Sequence, residues 1–168
     1  MKSKQFLVLG LGRFGASLAK TLCDLGQEVL AVDADEELVN NIAPYVTQAM
    51  QLDATDETLL ATLGVKNFDA AIVSIGQNTR DSILVCVLLK ELGAPYLVAK
   101  ANDDLHAKVL RNGLGHPLHL GAGLLPGNVG RVGVGDITAL RRKVCVQNVG
   151  VCRGVGSIVK VNHAEASL

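Results

Sequence analysis

Tryptophan is absent from the 168 residues, and aromatic side chains make up only 3%. A core built from this chain is therefore aliphatic, drawn from Leu, Val, Ile and Ala, which suits a parallel sheet buried between helices. Net charge is also missing, since 16 Lys and Arg balance 16 Asp and Glu. No basic stripe stands out, which argues against nucleic acid as a partner. Long hydrophobic runs are lacking: the stretch Phe6–Leu11 is far too short for a signal peptide or a membrane span, so a cytoplasmic location is expected. The four cysteines, Cys23, Cys86, Cys145 and Cys152, form no C-x-x-C pair, so a zinc or redox centre lacks its usual spacing. Cys23 and Cys86 fall on apolar helix faces and read as small core residues.

The zero net charge hides an asymmetry. Residues 1–112 hold 10 basic and 14 acidic residues, a net −4, whereas 113–168 hold 6 and 2, a net +4. Glycine is skewed as well, with 7 in the first segment and 11 in the shorter second one. The chain changes character near Gly113, which divides a domain at 4–113 from a tail at 114–168. The length suffices for one domain with a full core and a small appendage.

The first segment alternates strand-like and helix-like patterns. Gln5–Leu9 reads as a strand ending at Gly10. Phe14, Leu18, Leu22 and Leu25 recur at helical spacing, predicting a helix from Arg13 to Leu25 that Gly26 stops. Val29–Val32 is a second strand. Asp35 caps a helix to about Ile42, with Glu36 and Glu37 where the dipole favours acids. Thr47–Leu52 is a third strand. Thr55, with Thr58 three residues on, caps a helix from Asp56 to Leu63. Ala70–Ile75 is a fourth strand, and Thr79–Leu92 a long helix with an apolar stripe of Ile83, Leu84, Val87, Leu88 and Leu92. Tyr96–Ala99 is a fifth strand and Asp103–Arg111 a fifth helix. Five alternating strands and helices imply an α/β, Rossmann-like doubly wound parallel sheet with right-handed crossovers. The tail reads as irregular and rich in Gly and Val, with one possible strand at Lys143–Val149.

Gly10-Leu11-Gly12-Arg13-Phe14-Gly15 matches G-x-G-x-x-G between a strand and a helix, the context in which that motif has meaning. Gly10 permits the tight turn, Gly12 offers no Cβ to block a phosphate, and Gly15 lets helix and strand pack closely. Free N–H groups at the helix start then face a diphosphate. Asp33 ends the second strand, 18 residues after Gly15. Its carboxylate can accept both ribose hydroxyls of an adenosine and repels a 2′-phosphate, which disfavours NADP. Arg13 is a cation at a helix start, where the dipole opposes it; a phosphate partner, within the chain's own site or across a dimer interface, would relieve this. Asp53-Ala54-Thr55, Ile75-Gly76-Gln77 and Lys100-Ala101-Asn102 follow the third, fourth and fifth strands at the edge where open α/β sheets bind ligands. Asp53 and Asn102 read equally well as helix caps.

Gly10–Gly15, Val29–Asp33, Asp53–Thr55, Ile72–Gly76, Lys90–Leu92, Lys100–Asn102 and His106–Leu110 together resemble the RCK N-terminal domain, also called the TrkA-N or KTN domain. The likeness is to regulatory subunits of the KtrA type in bacterial potassium uptake. It implies ATP or ADP as the bound ligand, with NAD or NADH as alternatives, and a regulatory role without catalysis. It implies homodimers, assembled as an octameric ring, on a membrane-embedded potassium-translocating subunit at the inner face of the plasma membrane. By position, Arg13 meets the terminal phosphate, Asp33 with its neighbour Ala34 holds the ribose side, and Asp53 and Ala54 border the adenine. Ile75 to Gln77, Lys100 to Asn102 and His106 line the rest. The family's divalent-metal glutamate has no counterpart here, Ala122 or a neighbour standing in its place, so no metal site is expected.

The resemblance stops after Gly113. Residues 114–168 read either as a divergent extension or as a frameshifted translation, with no recognisable C-terminal regulatory domain. Two other functions fit the glycine loop and Asp33 equally well: an NAD-dependent dehydrogenase, which needs a substrate domain and a positioned acid or base, and a stand-alone NAD-sensing domain. His116, His119 and His163 are the tail's only candidate acid–base groups for the former.

Overall fold

The computed structural model describes residues 3–113 and the strand at 158–162. Five parallel strands form the sheet: β1 (Gln5–Leu9), β2 (Glu28–Asp33), β3 (Gln48–Gln51), β4 (Ala70–Val73) and β5 (Tyr96–Lys100). They lie in the order β3-β2-β1-β4-β5, and β6 (Ile158–Asn162) adds an antiparallel edge beside β5. Five helices follow the parallel strands: α1 (Arg13–Asp24), α2 (Glu36–Ile42), α3 (Glu57–Thr62), α4 (Thr79–Glu91) and α5 (Asp104–Gly113). This is the doubly wound Rossmann arrangement, whose strand order reverses between β1 and β4. The edge strand β6 lies in the segment expected to be irregular; the strand suggested at 143–149 falls outside the described residues.

The aliphatic composition settles into two layers, one on each face of the sheet. Strand periodicity sends alternate residues to opposite sides. Phe6, Val8, Val29, Ala31, Ile72 and Val98 pack with Leu18, Ala19 and Leu22 of α1 and Val39 and Ile42 of α2. Leu7, Leu9, Val32, Ala71, Val73, Leu97 and Ala99 pack with Leu60 of α3, Val85, Cys86 and Leu89 of α4, and Ala107 and Leu110 of α5. The even register ends three strands at one level. Leu9 pairs with Val32 on one side and Val73 on the other. Gly10, Asp33 and Ser74 therefore emerge side by side at the carboxyl edge.

Two local expectations are corrected. Of the stripe expected on α4, Leu88 is buried and Ile83, Val87 and Leu92 are half-buried against the core, but Leu84 is exposed, and Ser82, Val85, Cys86 and Leu89 are the other buried residues of the helix. The run Ile83–Leu89 is apolar all round, so periodicity within it does not choose a face. The cap of α3 is Asp56, whose carboxylate accepts the Leu59 N–H at 3.1 Å, not Thr55. Thr55 is drawn back instead onto Asp53, a competing local bond of the kind short polar side chains favour. Cys86 is a core residue as expected, its thiol pushed up to about 12 by burial. Cys23 is half-buried and lies 3.9 Å from the Thr47 hydroxyl.

The glycine loop is held by backbone contact. Gly10 has φ +93°, and a Cβ there would lie 2.9 Å from the Ile75 nitrogen. A Cβ on Gly15 would collide with the Gly10 carbonyl oxygen and approach the Ser74 hydroxyl to 2.6 Å. Neither obstacle is a movable side-chain end: one is backbone, and Ser74 is pinned by its own hydrogen bond to the Gly10 carbonyl. Gly15→Ala is therefore expected to destabilise the fold by about 3 kcal/mol or more, read as a lower urea midpoint at unchanged slope. An unaltered midpoint would mean that α1 can lift off the sheet at no cost.

Candidate functional site

The carboxyl edge at the β1/β4 switch point opens into a cleft of about 600 Å³. Its walls come from five strand ends. Gly10, Gly12, Arg13 and Phe14 follow β1; Asp33, Ala34 and Asp35 follow β2; Asp53, Ala54 and Thr55 follow β3; Ser74, Ile75, Gly76 and Gln77 follow β4. Lys100, the last residue of β5, and Asp81, in the first turn of α4, complete it. Thirteen of the sixteen residues singled out from the sequence thus share one cavity wall. Gly15, Asn102 and His106 stand behind it. Gly15 carries the helix–strand contact, Asn102 donates from Nδ2 to the Gly76 carbonyl at 2.7 Å, and His106 is 1% exposed beneath the loop.

The helix termini differ in a way that bears on ligands. Asp35 caps α2, Asp56 caps α3 and Asn78 caps α4, each accepting backbone N–H groups. The Asp103 carboxylate accepts the His106 N–H at 2.7 Å at the start of α5. Each of these helices also carries an acid in its first turn. Helix α1 has neither: its N-cap is Gly12, without a side-chain cap, and no acid occupies its first turn. Its first intrahelical bond runs from Ala16 N–H to the Gly12 carbonyl, so the amides before Ala16 have no intrahelical acceptor. The positive end of the α1 dipole opens into the cleft.

Gly12 faces space. A Cβ built there meets nothing within 4 Å, and the residue's φ of −60° suits any amino acid. Gly10 and Gly15 are needed by the fold; Gly12 is not. Arg13 projects exposed from the same turn. Lys100 Nζ lies 3.0 Å from where a Gly76 Cβ would stand. The glycine at 76 thus leaves room for a cation at the floor of the cleft.

Asp33 is already engaged. One carboxylate oxygen accepts the Leu11 N–H at 2.6 Å and the other the Asp35 N–H at 3.0 Å. A carboxylate has about four lone-pair sites, so each oxygen keeps capacity for a hydroxyl while the two amides fix its orientation. Leu11 N–H is thereby withdrawn from anion binding, leaving the amides from Gly12 onward. Asp53 accepts both the hydroxyl and the N–H of Thr55, at 2.7 and 2.9 Å. These two bonds, the hydroxyl first, hold its carboxyl below the usual range against a slight opposing effect of burial. Asp53 shapes its own turn and caps no helix; Asn102 ties two loops together, with Asp103 in the capping position.

Ser74 and Asp81 are cleft residues that sequence reading missed. Ser74 falls inside the strand expected at Ala70–Ile75, whereas the observed strand ends at Val73; its role is visible only when the Gly10 carbonyl lies 3.0 Å from its hydroxyl. Asp81 sits in the first turn of α4 and reads as a helix-start acid; Asn78 Nδ2 holds its carboxylate at 2.7 Å. Among the described residues no group of His, Cys, Asp and Glu is arranged to hold a metal ion, and no helix is long and apolar enough to cross a membrane.

Comparison with known proteins agrees with this geometry. Ktr system potassium uptake protein C of Bacillus subtilis (strain 168) is 48% identical over 117 residues, 69% of this chain and 53% of the relative. Ktr system potassium uptake protein A of the same organism is 51% identical over 110 residues, 66% of this chain and 50% of the relative. The chain spans about half the length of the curated relatives it matches. Among solved structures, the NAD(P)-binding domain of an exopolyphosphatase-related protein from Archaeoglobus fulgidus has the same fold. It gives a TM-score of 0.60 at 19% identity, over 86% of this chain and 98% of that one. The GsuK channel bound to NAD gives 0.57 at 17% identity, over 66% of this chain and 20% of that one. GsuK bound to ADP also gives 0.57 at 17%, over 68% and 30%. The TrkA-N domain family matches residues 6–117, and with the glycine loop, the strand order and the cleft in place the chain belongs to that family.

Proposed function

We propose that this chain is a nucleotide-binding regulatory subunit of a bacterial potassium uptake system, with ATP or ADP in the cleft as the regulatory ligand and no catalytic step. The observation that carries the reading is the bare N-terminus of α1, uncapped and without an acid, opening on the space above Gly12 with Arg13 beside it. A diphosphate there meets free amides, the helix dipole and a guanidinium at once. Asp33 supplies acceptors for the ribose, and the largely apolar pair Leu52 and Ala54 borders the far side of the cleft where the adenine would lie. Ala34, Thr55, Ile75 to Gln77 and Lys100 line the remainder, and NAD or NADH would use the same diphosphate and ribose groups.

A regulatory ligand acts by binding one conformation better than another. Arg13 supplies a basis for this, because it would feel a γ-phosphate that ADP lacks. The names of the Ktr relatives support potassium uptake as the setting. A membrane-embedded potassium-translocating subunit would be the partner, with the chain at the inner face of the plasma membrane as a homodimer within an octameric ring. Domain 4–113 would be the nucleotide-binding unit.

Two variants test the reading. Gly12→Ala is expected to cost no more than about 1 kcal/mol of unfolding free energy, the N-cap penalty of alanine, while weakening ADP by roughly tenfold or more in calorimetry, since its methyl group enters ligand space. Arg13→Ala is expected to narrow the preference for ATP over ADP by roughly three- to tenfold. Equal discrimination with and without Arg13 would remove it from the γ-phosphate. Titrating NAD and NADH alongside separates this reading from an NAD-sensing domain.

A further inference from the structure

His106 is nearly inaccessible, at 1% exposed, and its contacts are one-sided. Nδ1 accepts the backbone N–H of Asn102 at 3.2 Å, so the buried form is the neutral ring with its proton on Nε2. Nε2 is itself buried and without a hydrogen-bond partner among the described residues. Asn102 continues the connection, donating from Nδ2 to the Gly76 carbonyl at 2.7 Å. Gly76 and the Lys100 ammonium that closes on it are both cleft wall. A chain of two hydrogen bonds therefore runs from a buried imidazole to the cleft.

We propose that His106 is a positioning residue for the cleft and makes its order depend on pH: as a neutral ring it holds Asn102, Asn102 holds the Gly76 carbonyl, and a proton on Nδ1 releases both. The imidazolium has no acceptor in place of that lost bond, because Nδ1–H would then face the Asn102 N–H. The charged groups around it are few. Asp103, whose carboxylate accepts the His106 N–H, favours the protonated ring. On α4, which packs against α5, the buried side presents Ser82 and Cys86, the latter a neutral thiol. Lys100 ends β5, Lys160 lies in the neighbouring β6, and α5 itself carries Asp104, Lys108 and Arg111, the last bonded to the Ala107 carbonyl. Desolvation outweighs Asp103 and holds the ring below its ordinary 6.5. Because the folded state resists the proton that the unfolded chain accepts, the stabilisation is present above that value and is lost as pH falls through the folded one.

The test compares the parent with His106→Asn, whose side-chain oxygen can accept the Asn102 N–H but does not titrate. Hydrogen-exchange protection in the free protein and ADP affinity are read at about pH 7.5 and about pH 5.5. In the parent, protection at residues 75–77 and 101–103 is expected to fall on acidification. ADP should weaken by roughly fivefold more than in His106→Asn, the phosphate's own titration being common to both. The same acid response in parent and variant overturns the proposal. Should His106→Asn not fold, Asn102→Ala cuts the next link: the acid response should vanish at 75–77 and survive at 101–103, and its persistence at 75–77 overturns the relay. The ADP arm rests on the nucleotide reading. ADP failing to bind the parent at either pH refutes that reading alone, and the exchange comparison then decides the relay by the same outcomes.

Discussion

The Gly10 carbonyl occupies the place where a Cβ on residue 15 would stand, and that contact sets the distance between α1 and the sheet. Everything at the cleft depends on it. With the helix seated there, its uncapped start lines the cleft. Ser74 then finds the same carbonyl from the β4 side, so a single oxygen ties helix, loop and two strands together. The left-handed turn at Gly10 is what allows the chain to reverse within this space, at a φ that L residues seldom adopt.

The electrostatics of the helix ends extend this geometry. A side-chain cap stabilises a helix by about 1 kcal/mol, and α2 to α5 each accept one. Helix α1 forgoes both the cap and the favourable acid and carries Arg13 against its own dipole. Such an arrangement is unfavourable in the free chain and becomes favourable when an anion arrives. The acids around the cleft have local partners of their own. Asp33 turns its oxygens to Leu11 and Asp35, and Asp53 is occupied by Thr55.

Much of this was legible because it is local. G-x-G-x-x-G between a strand and a helix states its geometry in the order of residues, and the short β-rich run Gln5–Leu9 before it marks the strand. The failures have local causes too. The run Ile83–Leu89 is apolar on every side, and only packing against α5 and the sheet selects Ser82, Val85, Cys86 and Leu89 for burial. Thr55 and Asp56 are both good caps by type, and the choice between them was made by the Asp53 carboxylate two residues earlier. Ser74 acts through a bond to a carbonyl 64 positions away, and His106, noticed through its resemblance, owes its place behind the cleft to the loop that Asn102 ties to Gly76.

By itself the sequence determined the strand and helix alternation, the position of the glycine turn, the carboxylate after β2 and the family to which these belong. Those features depend on residues a few places apart, where backbone sterics and periodicity act directly. The tertiary structure decided the rest: that β1, β2 and β4 end level so that Gly10, Asp33 and Ser74 meet, that α1, alone among the described α-helices, is left uncapped beside open space, and that His106 lies behind the cleft rather than in it. Each of these depends on strand register and on the depth at which helices seat against a sheet, quantities set by contacts between residues about 20 to 65 positions apart.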